Sequence, residues 1–238
     1  MKKILILSDN PKLSAFVINS IIQNSEHNCC FELCYSSINK SPSGMKELGA
    51  KELNIKSKDA NFAKKYDVIF SLHCKQIFPD EIVKNTRCIN VHPGLNPFNR
   101  GWYPQVFSIV NKLPAGATIH LMNEDIDAGD IIVQQKVQVT ETDTSLDVYE
   151  KVQKVEMNLL ADNFFKIIDG HFETYSPCEV GNYNSVNDFK RLCKIDLDHV
   201  GSFREHIDIL RALSHGDFNN SYFEDVNGNK RYIKIKIF

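Results

Sequence analysis

Lys2-Lys3-Ile4-Leu5-Ile6-Leu7-Ser8-Asp9-Asn10-Pro11 is the stretch whose reading decides the fold. Its four consecutive apolar residues describe a strand buried on both faces, because a half-exposed strand would alternate. Asn10 is placed to cap a helix that begins at Pro11, and Leu13, Phe16, Val17 and Ile21 follow at helical spacing. A buried strand running straight into a helix is the first half of a parallel α/β unit.

The same alternation continues outward. Residues 31–35, 67–72 and 87–91 read as further strands, with helical or loop material between them. Residues 102–112 carry a helical pattern, 118–122 a strand, and 131–139 a strand that alternates at its end. Thr144 caps a long helix with Leu146, Tyr149, Val152, Leu159, Leu160 and Phe164 on its apolar side, and Gly170 stops it. After about residue 176 Asn and Asp become frequent, and Asn227-Gly228 between two β-rich runs signals a hairpin. The expected architecture is α/β: a Rossmann-like, largely parallel twisted sheet over residues 1–180, then a small C-terminal region over 181–238 ending in a β-hairpin. A lone hairpin is marginal, so it must pack on the main domain or on a second subunit.

Composition narrows the function classes. A chain of 238 residues holds one sizeable core and a short appendage. Lys+Arg 28 against Asp+Glu 30 gives a net charge of −2, which argues against a broad basic surface for nucleic acid but leaves small anionic ligands open. The first apolar run is too short for a secretory signal, and no stretch approaches the roughly 18 apolar residues of a membrane span. Seven cysteines, odd in number and without a C-x-x-C pair, read as reduced thiols. The expectation is a cytoplasmic protein with no membrane or nucleic-acid partner. Cysteines and histidines show no ligand spacing, so no metal is expected.

Ligands of parallel α/β sheets bind beyond the carboxyl ends of the strands. The first such end, Ser8-Asp9-Asn10, lacks G-x-G-x-x-G, which weakens a nicotinamide reading. Cys88-Ile89-Asn90-Val91-His92-Pro93-Gly94 is more informative. Asn90 and His92 are two residues apart on a strand and share a face, and Pro93-Gly94 ends the strand beside them. In Asn123-Glu124-Asp125-Ile126-Asp127-Ala128-Gly129-Asp130, Glu124 and Asp125 read as a solvated loop. Asp127 precedes Ala-Gly and an apolar run, so it approaches the core and can orient the His92 imidazole.

Asn90-Val91-His92-Pro93-Gly94, with Asp127 of Asp-Ala-Gly-Asp-Ile-Ile 35 positions after His92, resembles the N10-formyltetrahydrofolate-dependent formyltransferase family over most of residues 1–170. The run Asn96-Pro97-Phe98-Asn99-Arg100-Gly101-Trp102-Tyr103-Pro104-Gln105-Val106-Phe107-Ser108 looks like its sugar branch, as do residues 71–79 and 211–217. That resemblance implies a Rossmann-like formyltransferase fold. It also implies transfer of a formyl group from N10-formyltetrahydrofolate to the amine of a dTDP-linked amino-dideoxy sugar, for surface glycan synthesis. His92 is then the general base, Asn90 the oxyanion donor and Asp127 the residue that holds His92.

By the same resemblance the folate pocket lies between Gln76, Ile77 and Phe78 and the segment with His120, Leu121, Met122 and Ile126. The nucleotide sugar falls near Ser8, Asp9 and Asn10, with Lys75 and Arg100 as candidate cations for its phosphates. Trp102, Tyr103 and Gln105 are candidate sugar or base contacts. A homodimer is expected. Glycinamide ribonucleotide and methionyl-tRNA remain alternative acceptors, as does a non-catalytic folate- or nucleotide-sugar-binding module. Whether the amine sits on C3 or C4 is left open.

Overall fold

A computed structural model describes residues 1–237. Its first five strands are β1 (Lys2–Ser8), β2 (Cys29–Ser36), β3 (Lys51–Leu53), β4 (Val68–Leu72) and β5 (Arg87–His92). The short β6 (Arg100–Gly101) is followed by β7 (Ala115–Leu121) and β8 (Ile131–Val137). Seven of these form one sheet in the order β3-β2-β1-β4-β5-β7-β8. The first five in that order are mutually parallel, whereas β7 runs antiparallel to both β5 and β8. The largely parallel expectation therefore holds, with an antiparallel edge added.

Helix α1 (Pro11–Phe16) starts where Asn10 accepts the Leu13 N–H, and a wider helical turn carries it on through Val17–Ile22. Three short helices follow: α2 (Ser43–Glu47), α3 (Ala60–Ala63) and α4 (Asp80–Val83). Helix α5 (Pro104–Val110) begins two residues later than its periodicity suggests, because Tyr103 is left-handed and Pro104 takes the first helical position. The long α6 (Ser145–Asp169) has both expected ends. Thr144 and Asp147 form a capping box, and Gly170 is left-handed.

The sheet is covered on both faces, which explains the unbroken apolar runs. Ile4, Ile6, Phe70, Ile89 and Val91 pack on the side of α6, with Val152, Leu160 and Phe164. Leu5, Leu7, Ile69 and Cys88 pack on the other side, with Ile82 and Phe78. All seven cysteines are unpaired, and Cys34, Cys88 and Cys193 are buried.

The C-terminal region is more ordered than its composition suggests. Strand β9 (Tyr183–Asn184) pairs with β6, and helices α7 (Val186–Cys193) and α8 (Phe203–Leu213) follow. Each helix opens on a capping box, Ser185 with Asp188 and Ser202 with Glu205. Two short pairs come last: β10 (Ser214–His215) with β11 (Phe218–Asn219), and β12 (Tyr222–Glu224) with β13 (Lys230–Tyr232). The second is the hairpin signalled by Asn227-Gly228, and Gly228 carries the required positive φ.

Candidate active site

Strand β5 delivers Asn90 and His92 to one face at its carboxyl end. Across the β5–β7 ladder, Asn90 lies opposite His120 and His92 opposite Thr118. Asp127 arrives from the β7–β8 connection in a left-handed conformation and is fixed at three points. Asn90 Nδ2 donates to its Oδ1 at 2.8 Å, the Gly101 N–H donates to its Oδ2 at 3.0 Å, and Asn96 Nδ2 donates to its main-chain carbonyl at 2.9 Å. His92 Nδ1 lies 3.5 Å from Asp127 Oδ2. The three residues that the sequence singles out thus meet in one cluster.

The other imidazole nitrogen, His92 Nε2, is buried and has no hydrogen-bond partner among the described residues. Gly94 keeps that side of the ring open, since a Cβ there would fall 2.3 Å from Nε2. Burial pushes the imidazole down to about 4 despite the nearby Asp127 carboxylate, and His120, His73 and Arg100 reinforce the shift. Burial works against ionisation of Asp127 too. The facing His92 and His120 rings and the Gly101 N–H outweigh it and hold that carboxyl well below the usual range. At neutral pH the pair is therefore a carboxylate and a neutral imidazole, with a lone pair on Nε2 when Nδ1–H faces Asp127.

His120, expected at the folate, belongs to the inner cluster. Its Nδ1 is 2.6 Å from the Leu121 carbonyl, and its Nε2 is 3.3 Å from Asn90 Nδ2. Both amide hydrogens of Asn90 are therefore engaged, the one toward His120 at the longer distance. On the folate side, Gln76 ties loops together: its amide donates to Ser37 and Asn54, and its Oε1 accepts the Ile55 N–H. Phe78 is buried, and Met122 packs on the same apolar cluster. Ile77 and Ile126 are exposed, offering apolar surface suited to a flat ring. Leu121 packs on the main core and hydrogen-bonds through its N–H to the Asp130 carbonyl.

The Ser8-Asp9-Asn10 side chains are spent on the protein itself. Ser8 Oγ accepts from the Asn10 N–H and from Ser14 Oγ. Asp9 accepts from the Ser36 N–H and hydroxyl and from the Lys75 N–H. Asn10 caps α1 through Oδ1 while its Nδ2 reaches His73 Nδ1 at 3.0 Å and the Tyr149 hydroxyl at 3.1 Å. Lys75 is exposed. Arg100 borders a cleft of about 260 Å³ with Asp127, on the other flank, and its Nε is buried without a partner among the described residues. A larger cavity of about 800 Å³ lies between Lys190, Lys194 and Tyr222 in the C-terminal region and contains none of the inner cluster. Trp102 leans on Tyr103, which stacks on Phe189 of α7 with ring centroids 3.9 Å apart. Gln105 is buried at the start of α5.

Sequence reasoning missed a second histidine–carboxylate pair. His73, left-handed just beyond β4, places Nε2 2.7 Å from Glu156 Oε1. Because Asn10 Oδ1 is committed to the helix cap, its NH2 faces His73 Nδ1, which accepts, and Nε2 is the nitrogen that faces the glutamate. Glu156 is 0% exposed and its Oε2 has no partner among the described residues. The signal was a glutamate within the apolar stripe of α6, between Val152 and Leu160.

A three-layer α/β sheet whose strand ends gather an asparagine, a neutral histidine and a carboxylate brings a hydrogen-bond donor and a proton acceptor side by side, groups that acyl transfer can use. The chain belongs to the formyl transferase family, whose model "Formyl transferase" matches residues 37–163. A second model, "N-formyltransferase dimerization C-terminal domain", matches residues 188–238.

Relatives extend over the whole chain. A sugar N-formyltransferase structure from a Shewanella species is 51% identical, covers 99% of this chain and 98% of its own, and superposes with a TM-score of 0.97. A 4-N formyltransferase structure from Francisella tularensis is 45% identical over 100% of this chain and 98% of its own, with a TM-score of 0.91. The dTDP-4-amino-4,6-dideoxyglucose formyltransferase of Mycobacterium tuberculosis is 36% identical over 98% of this chain and 95% of its own.

Proposed function

We propose that this enzyme transfers the formyl group of N10-formyltetrahydrofolate to the amine of a dTDP-linked 4-amino-4,6-dideoxy sugar. The observation that carries this reading is the buried, partnerless His92 Nε2 beside an ionised Asp127, in a chain whose sugar-modifying relatives match it from end to end. The Francisella and Mycobacterium relatives, named as a 4-N formyltransferase and a dTDP-4-amino-4,6-dideoxyglucose formyltransferase, favour C4 over C3.

In the proposed chemistry the neutral sugar amine attacks the formyl carbon. Its proton passes to His92 Nε2 as the tetrahedral oxyanion forms. Asn90 Nδ2 donates to that oxyanion, exchanging its longer contact with His120 for the stronger charged one. Collapse breaks the bond from the formyl carbon to N10, and the proton held on His92 goes to the leaving nitrogen. Asp127 keeps Nδ1–H directed at itself throughout. Ile77, Phe78, Met122 and Ile126 cover the donor's ring system. Ser8, Asp9 and Asn10 shape the acceptor side through the loops they hold, and Lys75, Arg100, Trp102, Tyr103 and Gln105 are its candidate contacts.

The test offers the protein N10-formyltetrahydrofolate with dTDP-linked 3-amino and 4-amino sugars, glycinamide ribonucleotide and methionyl-tRNA. A mass gain of one formyl group on the 4-amino sugar alone is expected. Formylation of glycinamide ribonucleotide or the tRNA, with the sugars unchanged, would overturn the reading.

The proposed division is a catalytic part over 1–180 and a dimerising region over 181–238, in a cytoplasmic homodimer. The unpaired cysteines support the compartment, and among the described residues no helix is long and apolar enough to cross a membrane. Phe203, 89% exposed, and Ile207, one turn on along α8, present apolar surface that a second copy would cover, and Val200 ahead of the helix and Tyr232 on the hairpin are further exposed apolar residues of this region. Phe203→Glu should convert the dimer to monomer in light scattering. A wild-type chain that is already monomeric at micromolar concentration would refute the assembly.

A further inference from the structure

The run Asn96 to Trp102 is tied to the start of the C-terminal region by a cluster of asparagines centred on the buried Asn99. Asn99 is 1% exposed and left-handed. Its Oδ1 accepts from three amides: Asn111 Nδ2 at 3.0 Å, Asn182 Nδ2 at 3.0 Å and Asn184 Nδ2 at 3.3 Å. Its own N–H donates to Asn182 Oδ1 at 2.8 Å, and its Nδ2 donates to Ser108 Oγ at 3.2 Å. The main chains then pair, with the Arg100 N–H on the Asn182 carbonyl and the Trp102 N–H on the Asn184 carbonyl. Between those two bonds sits Gly101, whose N–H is left pointing at Asp127 Oδ2. Gly101 has φ +89, and a Cβ there would fall 2.5 Å from the Asn184 carbonyl. Only glycine allows this approach.

The loop therefore grips Asp127 twice, by Gly101 on the carboxylate and by Asn96 on the main-chain carbonyl. Its own geometry is set from Asn182 and Asn184. Amide networks of this kind locate a backbone segment without adding charge, which suits a position beside an ionised catalytic carboxylate. The buried Asn184 amide depends most on this acceptor, since losing it would strand one of its N–H groups away from water.

We propose that Asn99 is a positioning residue for formyl transfer. Through Asn182 and Asn184 it holds the Gly101 N–H on Asp127, so that the segment entering the C-terminal region helps orient the His92 imidazole. This inference rests on the proposed role of Asp127 as the group that holds His92.

The experiment compares wild type, Asn99→Gly, Asn184→Ala and Asp127→Asn with saturating formyl donor and amino sugar. Glycine accepts the left-handed backbone at 99, so Asn99→Gly removes the amide cluster without adding strain. Rates are taken per folded molecule from thermal unfolding, and 15N signals of His92 report its tautomer. Asn99→Gly is expected to lower kcat about tenfold or more, leave both KM values within about threefold, and turn the single His92 tautomer of wild type into a mixture. Asn184→Ala should show the same pattern at smaller amplitude and add nothing on top of Asn99→Gly. It carries the test alone if Asn99→Gly does not fold.

A folded variant with kcat within twofold of wild type would overturn the proposal, as would a fall in kcat with the His92 signals unchanged. If Asp127→Asn is itself as active as wild type, the underlying reading of Asp127 fails instead.

Discussion

His92→Ala is expected to lower kcat by about 10²- to 10⁴-fold, the range that a positioned general base contributes. The structure ties the loss to one atom. Nε2 is the buried ring nitrogen without a partner, and Gly94 leaves the approach to it unobstructed. No neighbouring side chain can take over. His120 is 6.4 Å away by ring centroid, and its Nε2 faces Asn90 and Asp127. The second histidine, His73, has both nitrogens occupied by Asn10 and Glu156.

The pH dependence follows from the same geometry. Catalysis needs His92 unprotonated, and its pKa is pushed down from the ordinary 6.5 to about 4. The base is thus already competent across the range where an ordinary histidine would be charging. In the wild type, kcat/KM expressed per neutral amine should stay level from pH 7 to about pH 5 and fall as pH approaches 4, and His92→Ala should lose that limb. Donor affinity should persist in the variant, measured by calorimetry with a non-transferable folate. A variant within tenfold of the wild-type rate would remove His92 from the mechanism.

Much of this site could be read from the chain because strands impose a period of two. Asn90 and His92 share a face at a strand end whatever else the fold does, and Pro93-Gly94 marks that end. The β1–α1 unit and both ends of α6 were equally local, written in Ile4 to Leu7, Asn10-Pro11, the Thr144–Asp147 box and Gly170. What stayed hidden depends on pairing between distant segments. His120 is an inner-cluster residue because an antiparallel β7 sets it opposite Asn90, and no spacing in the sequence encodes that register. The two helices of the C-terminal region were masked by polar composition, although Ser185-x-x-Asp188 and Ser202-x-x-Glu205 are capping signals. Ser8, Asp9 and Asn10 read as ligand groups because strand ends are where ligands bind. A short polar side chain there serves equally well to cap a helix or tether a neighbouring loop, and these three do so.

Asp127→Asn should cost at least about 10²-fold in kcat, and the reason lies in how many donors the carboxylate serves. Asn90 Nδ2–H points at Oδ1, while the Gly101 N–H and His92 Nδ1 converge on Oδ2. An asparagine has one oxygen and one NH2 to set against them. If the NH2 lies where Oδ2 was, it opposes both the Gly101 N–H and a His92 Nδ1–H. The imidazole then carries its hydrogen on Nε2, leaving no lone pair for the amine proton, a tautomer error worth about 10⁴-fold in the serine-protease precedent. If the NH2 lies where Oδ1 was, Asn90 must flip its amide to present oxygen, and the oxyanion loses its donor at a cost of about 10²- to 10³-fold. The fixed Gly101 N–H favours the second arrangement, so the expected loss sits toward the lower figure. The neighbours that hold the Asp127 carboxyl below its usual range make its charge stabilising at neutral pH, so the isosteric Asp127→Asn should still fold but unfold at a lower temperature than wild type. Steady-state rates together with His92 15N shifts separate the two arrangements. An Asp127→Asn enzyme with kcat within tenfold of wild type would show that neither donor conflict matters to catalysis, and the assignment of Asp127 would fall.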